Sequence, residues 1–357
     1  MARESRRNFL RRASALTLTI PGLGIVLTAC GDGERERTAR QTREPGGAAK
    51  VPAVSNPDSK LDTAAAPAGA GTVAGGAGVP FHTVDAALPP LGPGRVRRVH
   101  FHAKEAPIRI SDDTVVGAWT FEGEMPGPVI HCRVGDRVEF TITNDVAMPH
   151  SMDFHAAQID PKTAFRSALK GQSVSFSFTP RYAGAFLYHC GTSPVLLHLG
   201  SGMFGAIIVS PRAPLPRARE FVLVQSELYL GPAVNGVRPF DYARMLSTLP
   251  DYVAFNGRPD QYGRAPLRVR RGDRVRFWVV NAGPTHPCAF HVVGEQFDTV
   301  YLGAPPGSAI HGIQTWGVPA GAGMCFELVA DVVGEFVFVN HAFGHGQKGA
   351  IGRLVVA

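Results

Sequence analysis

The sequence predicts an all-β protein: two tandem Greek-key β-sandwich domains behind a signal peptide and a flexible linker. Three observations carry that prediction. Runs such as "DRVEFTITN", "SVSFSFTP" and "GAIIVSP" lie between Gly and Pro turns, with apolar residues recurring at strand spacing. One unit then returns: "VGDRVEFTITN" (Val134 to Asn144) comes back as "RGDRVRFWVVN" (Arg271 to Asn281). "PHSMDFH" comes back as "THPCAFH" and, more weakly, "GAFLYHC" as "GEFVFVN". The 357 residues hold 41 Gly and 29 Pro with modest charge, enough chain for two cores and many turns. The expected divisions are a signal over 1–30, a linker over 31–93, a first sandwich over 94–211 and a second over 212–357.

The signal is read from an Arg-rich start, an apolar run and a cysteine. Ser5-Arg6-Arg7-Asn8-Phe9-Leu10 looks like a twin-arginine export signal, a route for proteins already folded. Leu27-Thr28-Ala29-Cys30 resembles a lipoprotein box, which makes Cys30 an acylated N-terminus and the only expected link to a membrane. The plainer readings are a secretory peptide or a membrane anchor, but the apolar run is too interrupted for a strong spanning helix. The expected location is the periplasm or the outer side of the cytoplasmic membrane. Loss of the signal removes five Arg and one Glu, taking the formal charge from +7 to +3. That bias is too weak to argue for nucleic acid. From Gly31 to Pro93 the chain is rich in Ala, Gly and Pro and lacks apolar periodicity, which suits a tether.

Within the first sandwich, "FLYHCGTSPVLLHLGSGMFG" gathers a thiolate, imidazoles and a thioether. Each residue alone has an ordinary reading: a buried Cys, a core Met, a hydrogen-bonded His. The joint spacing Cys-x7-His-x4-Met, with Asn144-x5-His150 upstream, is hard to reach by coincidence. His150, Cys190 and His198 with a weak axial Met203 describe a blue-copper electron-transfer site. The second sandwich lacks the thiolate. Asn340 stands where Cys190 is echoed, Gln347 where Met203 is, and His286 and His291 are the echoing imidazoles. Neighbouring side chains on a strand point to opposite faces, so His189 is expected to point away from Cys190's metal. With His155 and His341 it makes a second set of three imidazoles, able to hold a metal with an open position.

At this point the chain resembles a family, the copper-containing nitrite reductases, two-cupredoxin-domain proteins of the multicopper oxidase group. The resemblance runs from Arg95 to Ala357. It rests on "FEGEMPGPVIHCRVGD", "PHSMDFHAAQ", "FLYHCGTSPVLLHLGSGMFGAIIV", "FHVVGEQFD" and "FVNHAFGHGQKGAIG". It implies two coppers per chain. His150, Cys190, His198 and Met203 match the type 1 ligands. His155, His189 and His341 match the type 2 ligands, His341 coming from the adjacent subunit of a homotrimer. Asp153 and His291 match the pair that delivers protons to nitrite, and Val293 the aliphatic residue over the type 2 copper. The implied reaction is one-electron reduction of nitrite to nitric oxide, fed by a small donor protein, a cupredoxin or a cytochrome c. Two other readings stay open. A laccase-type oxidase needs a fuller set of His-x-His pairs, and here Gly191 follows Cys190. A type 1 copper electron carrier would have no use for His155, His189, His341 and Asp153. The chain departs from the family pattern at Glu295-Gln296, where a further His is common, and at His286, an extra imidazole. Cys132, Cys288 and Cys325 are too scattered for a disulfide framework and read as free, buried thiols.

Overall fold

The computed structural model describes residue 76 and residues 78–357. The expected signal, Cys30 and most of the expected linker lie outside the described residues. Among the described residues no helix is long and apolar enough to cross a membrane.

The first half forms β1 (Val96–Arg109), β2 (Val115–Phe121), β3 (Ile130–Arg133), β4 (Arg137–Asn144), β5 (Asp153–Phe154), β6 (Ser173–Phe178), β7 (Gly184–His189) and β8 (Phe204–Ser210). The second half forms β9 (Arg219–Leu228), β10 (Arg238–Pro239), β11 (Tyr252–Phe255), β12 (Ala265–Val269), β13 (Arg274–Gly283) and β14 (Cys288–Val292). It continues with β15 (Thr299–Tyr301), β16 (Ala309–Ile310), β17 (Thr315–Val318), β18 (Gly323–Val329), β19 (Gly334–Asn340) and β20 (Ile351–Val356). The first sandwich faces a sheet ordered β10-β2-β1-β4-β6 against one ordered β3-β8-β7-β5; the second pairs β11-β9-β13-β18-β15-β16 with β12-β20-β19-β14-β17. The expected pair of β-sandwiches is the observed architecture.

Local pattern explains the layers. In β4 Val138, Phe140, Ile142 and Asn144 turn inward while their neighbours face out, the alternation of a strand with one wet face. Residues Phe204–Val209 of β8 are buried on both faces, because its outer side meets the second sandwich. Trp278, Val280, Ala282, Tyr301 and Cys325 of that sandwich belong to the same buried cluster as Ala185, Leu187 and Ile207. The halves therefore share core rather than a wet seam. Gly323 permits the approach, since a Cβ there would collide with the Ala185 carbonyl.

Residues 84–88, inside the expected linker, are hydrogen-bonded to the second sandwich. The Val84 amide donates to Gln261 Oε1 at 2.8 Å, and Tyr262 donates to the Val84 carbonyl at 2.9 Å. The Val222 amide donates to the Ala86 carbonyl at 2.7 Å and the Leu88 amide to the Glu220 carbonyl at 3.0 Å. This segment is a strap over the second sandwich. Its few apolar residues give no period, and backbone pairing holds it, which a pattern of hydrophobicity does not register.

Candidate metal centres

The first centre lies at one end of the first sandwich. His150 follows the Asn144–Pro149 loop, Cys190 ends β7, and His198 rides on the short helix Val195–Gly200. Met203 comes just before β8, and its carbonyl accepts the Cys190 amide at 3.1 Å. All four side chains are fully buried. One ligand atom from each of His150, Cys190 and His198 falls within 4.8 Å of the others, with His150 Nδ1 3.8 Å from the sulfur. Trp119 packs against both imidazoles, 5.6 Å from His150 and 4.9 Å from His198 between ring centroids. Burial, reinforced by the neighbouring His198, pushes the His150 pKa down to about 3, and burial also lowers His198. Both rings are therefore neutral near pH 7, and each keeps a buried Nε2 without a hydrogen-bond partner. Soft sulfur donors and buried neutral imidazoles fit a copper ion that cycles between Cu(I) and Cu(II).

The second centre sits on the other face of the same strand end. Asp153 and His189 are directly opposed across β5 and β7, as expected if His189 turns away from Cys190. Atoms of Asp153, His155 and His189 also fall within 4.8 Å of one another. The His155 Nδ1–H donates to the Gly321 carbonyl at 2.9 Å and the His189 Nδ1–H to the Cys190 carbonyl at 2.9 Å. A carbonyl only accepts, so both protons sit on Nδ1 and both Nε2 atoms carry bare lone pairs. Those lone pairs face each other at 3.2 Å. Two nitrogens so close are reconciled by a shared proton or a metal ion between them, and carbonyl-anchored imidazoles are how metal-binding His is normally held. Asp153 Oδ2 is 3.9 Å from His189 Nε2.

His341 is not part of this group within the chain. It is exposed, its ring 5.3 Å from His291 and 4.4 Å from Phe343. His291 donates from Nδ1 to the Gln314 carbonyl at 2.5 Å, which leaves its Nε2 free. The nine expected site residues thus form three groups: His150–Cys190–His198, with Met203 joined to Cys190 and His198 through its backbone; Asp153–His155–His189; and His291–His341.

Hydrogen bonds align the two halves differently from the sequence echo. The Ser151 amide donates to Cys190 Sγ at 3.4 Å, and the Ala289 amide to Asn340 Oδ1 at 3.1 Å. Asn144 donates to the Ala168 and Met148 carbonyls, and Asn281 to those of Val318 and His286. Met203 and His198 are linked by a backbone bond at 3.2 Å, as Ala350 and His345 are at 3.1 Å. By these bonds Cys288 stands in the place of His150, Asn340 of Cys190, His345 of His198 and Ala350 of Met203. His286 echoes Met148 instead of His150, and Gln347 does not echo Met203. His291 holds the place of Asp153, and Val293 that of His155, as the bonds His155 N to Leu187 O and Val293 N to Val337 O require.

Trp119 and Ser151 were missed by sequence reasoning. Trp119 lies far upstream with nothing in its surroundings to mark it. Ser151, between two expected site residues, was the more accessible signal. The three remaining described thiols, Cys132, Cys288 and Cys325, are free and buried.

A protein-family profile described as multicopper oxidase matches residues 102–214. The copper-containing nitrite reductase of Neisseria meningitidis serogroup A is 36% identical over 273 residues, covering 74% of this chain and 70% of the relative. That of Pseudomonas chlororaphis is 30% identical over 321 residues, covering 80% and 88%. Among solved structures, the copper nitrite reductase from Nitrosomonas europaea matches with a TM-score of 0.69 at 34% identity, covering 73% of this chain and 94% of that one.

Proposed function

The chain belongs to the copper-containing nitrite reductase family, and from that premise we propose how its own residues carry the reaction. Copper is the cofactor and the protein is an oxidoreductase. Nitrite takes up one electron and two protons and leaves as nitric oxide and water. Copper, when bound, supplies the one-electron step at the first centre and a Lewis acid for a nitrite oxygen at the second.

The remaining work falls to the chain. His150, Cys190, His198 and Met203 would hold the first ion in a buried pocket. The adjacency of His189 and Cys190 gives the electron a path through one peptide link. His155 and His189 present paired lone pairs to the second ion, and His341 from an adjacent subunit completes the set. Asp153 is half-buried beside these imidazoles. It would pass a proton to nitrite through a shared water. His291, with Nδ1 fixed by the Gln314 carbonyl, offers Nε2 as the second proton site. A small donor protein, a cupredoxin or a cytochrome c, feeds the first centre. Export by the twin-arginine route and a lipid on Cys30 would hold the enzyme at the outer side of the cytoplasmic membrane.

The observation that carries this reading is the pair of Nε2 atoms at 3.2 Å, one strand position from a buried cysteine sulfur. The test is nitric oxide production by the copper-loaded protein with a chemical donor. Asp153→Asn and His291→Ala should each slow turnover by roughly 10²–10⁴ with both coppers bound and the visible band unchanged. A wild type with both coppers, reducible at the first, that makes no nitric oxide would return the reading to an electron carrier.

A further inference from the structure

Ser151 lies between His150 and Asp153, fully buried, and neither metal binding nor proton delivery uses its hydroxyl. Its oxygen accepts from the Gly191 amide at 3.1 Å and from Thr192 Oγ1 at 3.1 Å. Thr192 Oγ1 lies 2.9 Å from Ser167 Oγ, and Ser167 is exposed. A hydroxyl has one proton and two lone pairs. Thr192 gives its proton to Ser151, so Ser167 must donate to Thr192. Ser151 has both lone pairs taken, and no described oxygen accepts its proton. The Cys190 sulfur, which the Ser151 amide reaches at 3.4 Å, is the acceptor that the residue's own backbone brings near. Burial pushes the Cys190 thiol up, and hydrogen bonds from the Ser151 and Thr192 amides and from the Ser151 hydroxyl pull against it.

We propose that the chain of donors Ser167 to Thr192 to Ser151 to Cys190 Sγ raises the reduction potential of the copper held at Cys190. The proposal rests on the type 1 reading of that centre. A hydrogen bond withdraws electron density from the sulfur, so the thiolate stabilises Cu(II) less and Cu(I) becomes relatively favoured. Donors aligned in one direction polarise one another, so the outer hydroxyls strengthen the innermost bond. Ser151 and Thr192 are positioning residues here: they act through the cysteine.

The test is a redox titration of the visible band in the full chain loaded with both coppers. Ser151→Ala should keep the band and shift the potential down. Ser151→Thr, which keeps the hydroxyl, should restore it, and Thr192→Val should give a smaller downward shift. An unchanged or raised potential in Ser151→Ala overturns the proposal. If that variant fails to hold copper, an unshifted Thr192→Val overturns it instead. A copper-loaded wild type without a visible band rejects the type 1 centre itself, an outcome distinct from either.

Discussion

His155 and His189 each donate a hydrogen bond from Nδ1 to a main-chain carbonyl, and as neutral rings turn only Nε2 lone pairs to each other. That makes His155 the sharpest single probe of the second centre. Its ring is exposed and its loss opens no cavity, so His155→Ala should fold normally. The variant is expected to lose one copper per chain and nearly all nitrite turnover, while the visible band of the first centre persists. Metal analysis beside the absorption spectrum checks this; a variant retaining two coppers would remove His155 from the ligand set. The first centre was legible residue by residue because one loop fixes Cys190, His198 and Met203 along the chain. Trp119 was not legible, since only folding brings it against the two imidazoles. The Ser151 hydroxyl was hidden for a different reason: its meaning lies in counting donors and acceptors around one atom.

Strands and connections carried a second set of lessons. The strap that precedes β1 is pinned partly by His131 of β3, whose Nδ1 meets the Pro89 carbonyl at 2.6 Å and whose Nε2 meets Ser210 Oγ at 2.8 Å. Burial lowers the His131 pKa from its ordinary 6.5, outweighing the Pro89 carbonyl. Below 6.5 the unfolded chain binds a proton that the folded chain resists. The stability His131 contributes is therefore complete above that pH and is lost as the pH falls from it through the lower folded value. His131→Gln should flatten the acid side of a urea-midpoint profile, and parallel profiles for variant and wild type would show that His131 does not set it. The repeat was readable in outline, from Gly-Asp turns and alternating strands. Its register was not. Matching His286 to His150 differs from the hydrogen-bonded match of Cys288 to His150 by two residues, and a shift of two keeps every side chain on its face. Periodicity cannot see such a slip; the bonds of Asn144 and Asn281 can.

At the scale of the whole molecule, one chain presents Asp153, His155 and His189 in one place and His291 with His341 in another. The proposed trimer would bring the second group of one chain to the first group of the next. His341→Ala should leave the band of the first centre and deplete the second copper, with sedimentation reporting a trimer for the wild type. A monomer that holds two coppers per chain would rule the shared site out. The sandwich pair itself was plain in the sequence, whereas the shared core between the halves was not, because Trp278, Val280 and Cys325 read like any strand interior. Asn340 has one more consequence, and it concerns copper supply. In the second half its Oδ1 accepts the Ala289 amide and its Nδ2 donates to Gln225 Oε1 at 2.8 Å, so that place is satisfied without an ion. In the first half the corresponding pocket keeps two buried nitrogens without partners. Of two equivalent places, one is closed by its own hydrogen bonds and the other keeps nitrogen lone pairs for an ion. Copper removal is therefore expected to loosen one end of the first sandwich and to leave the second as it is.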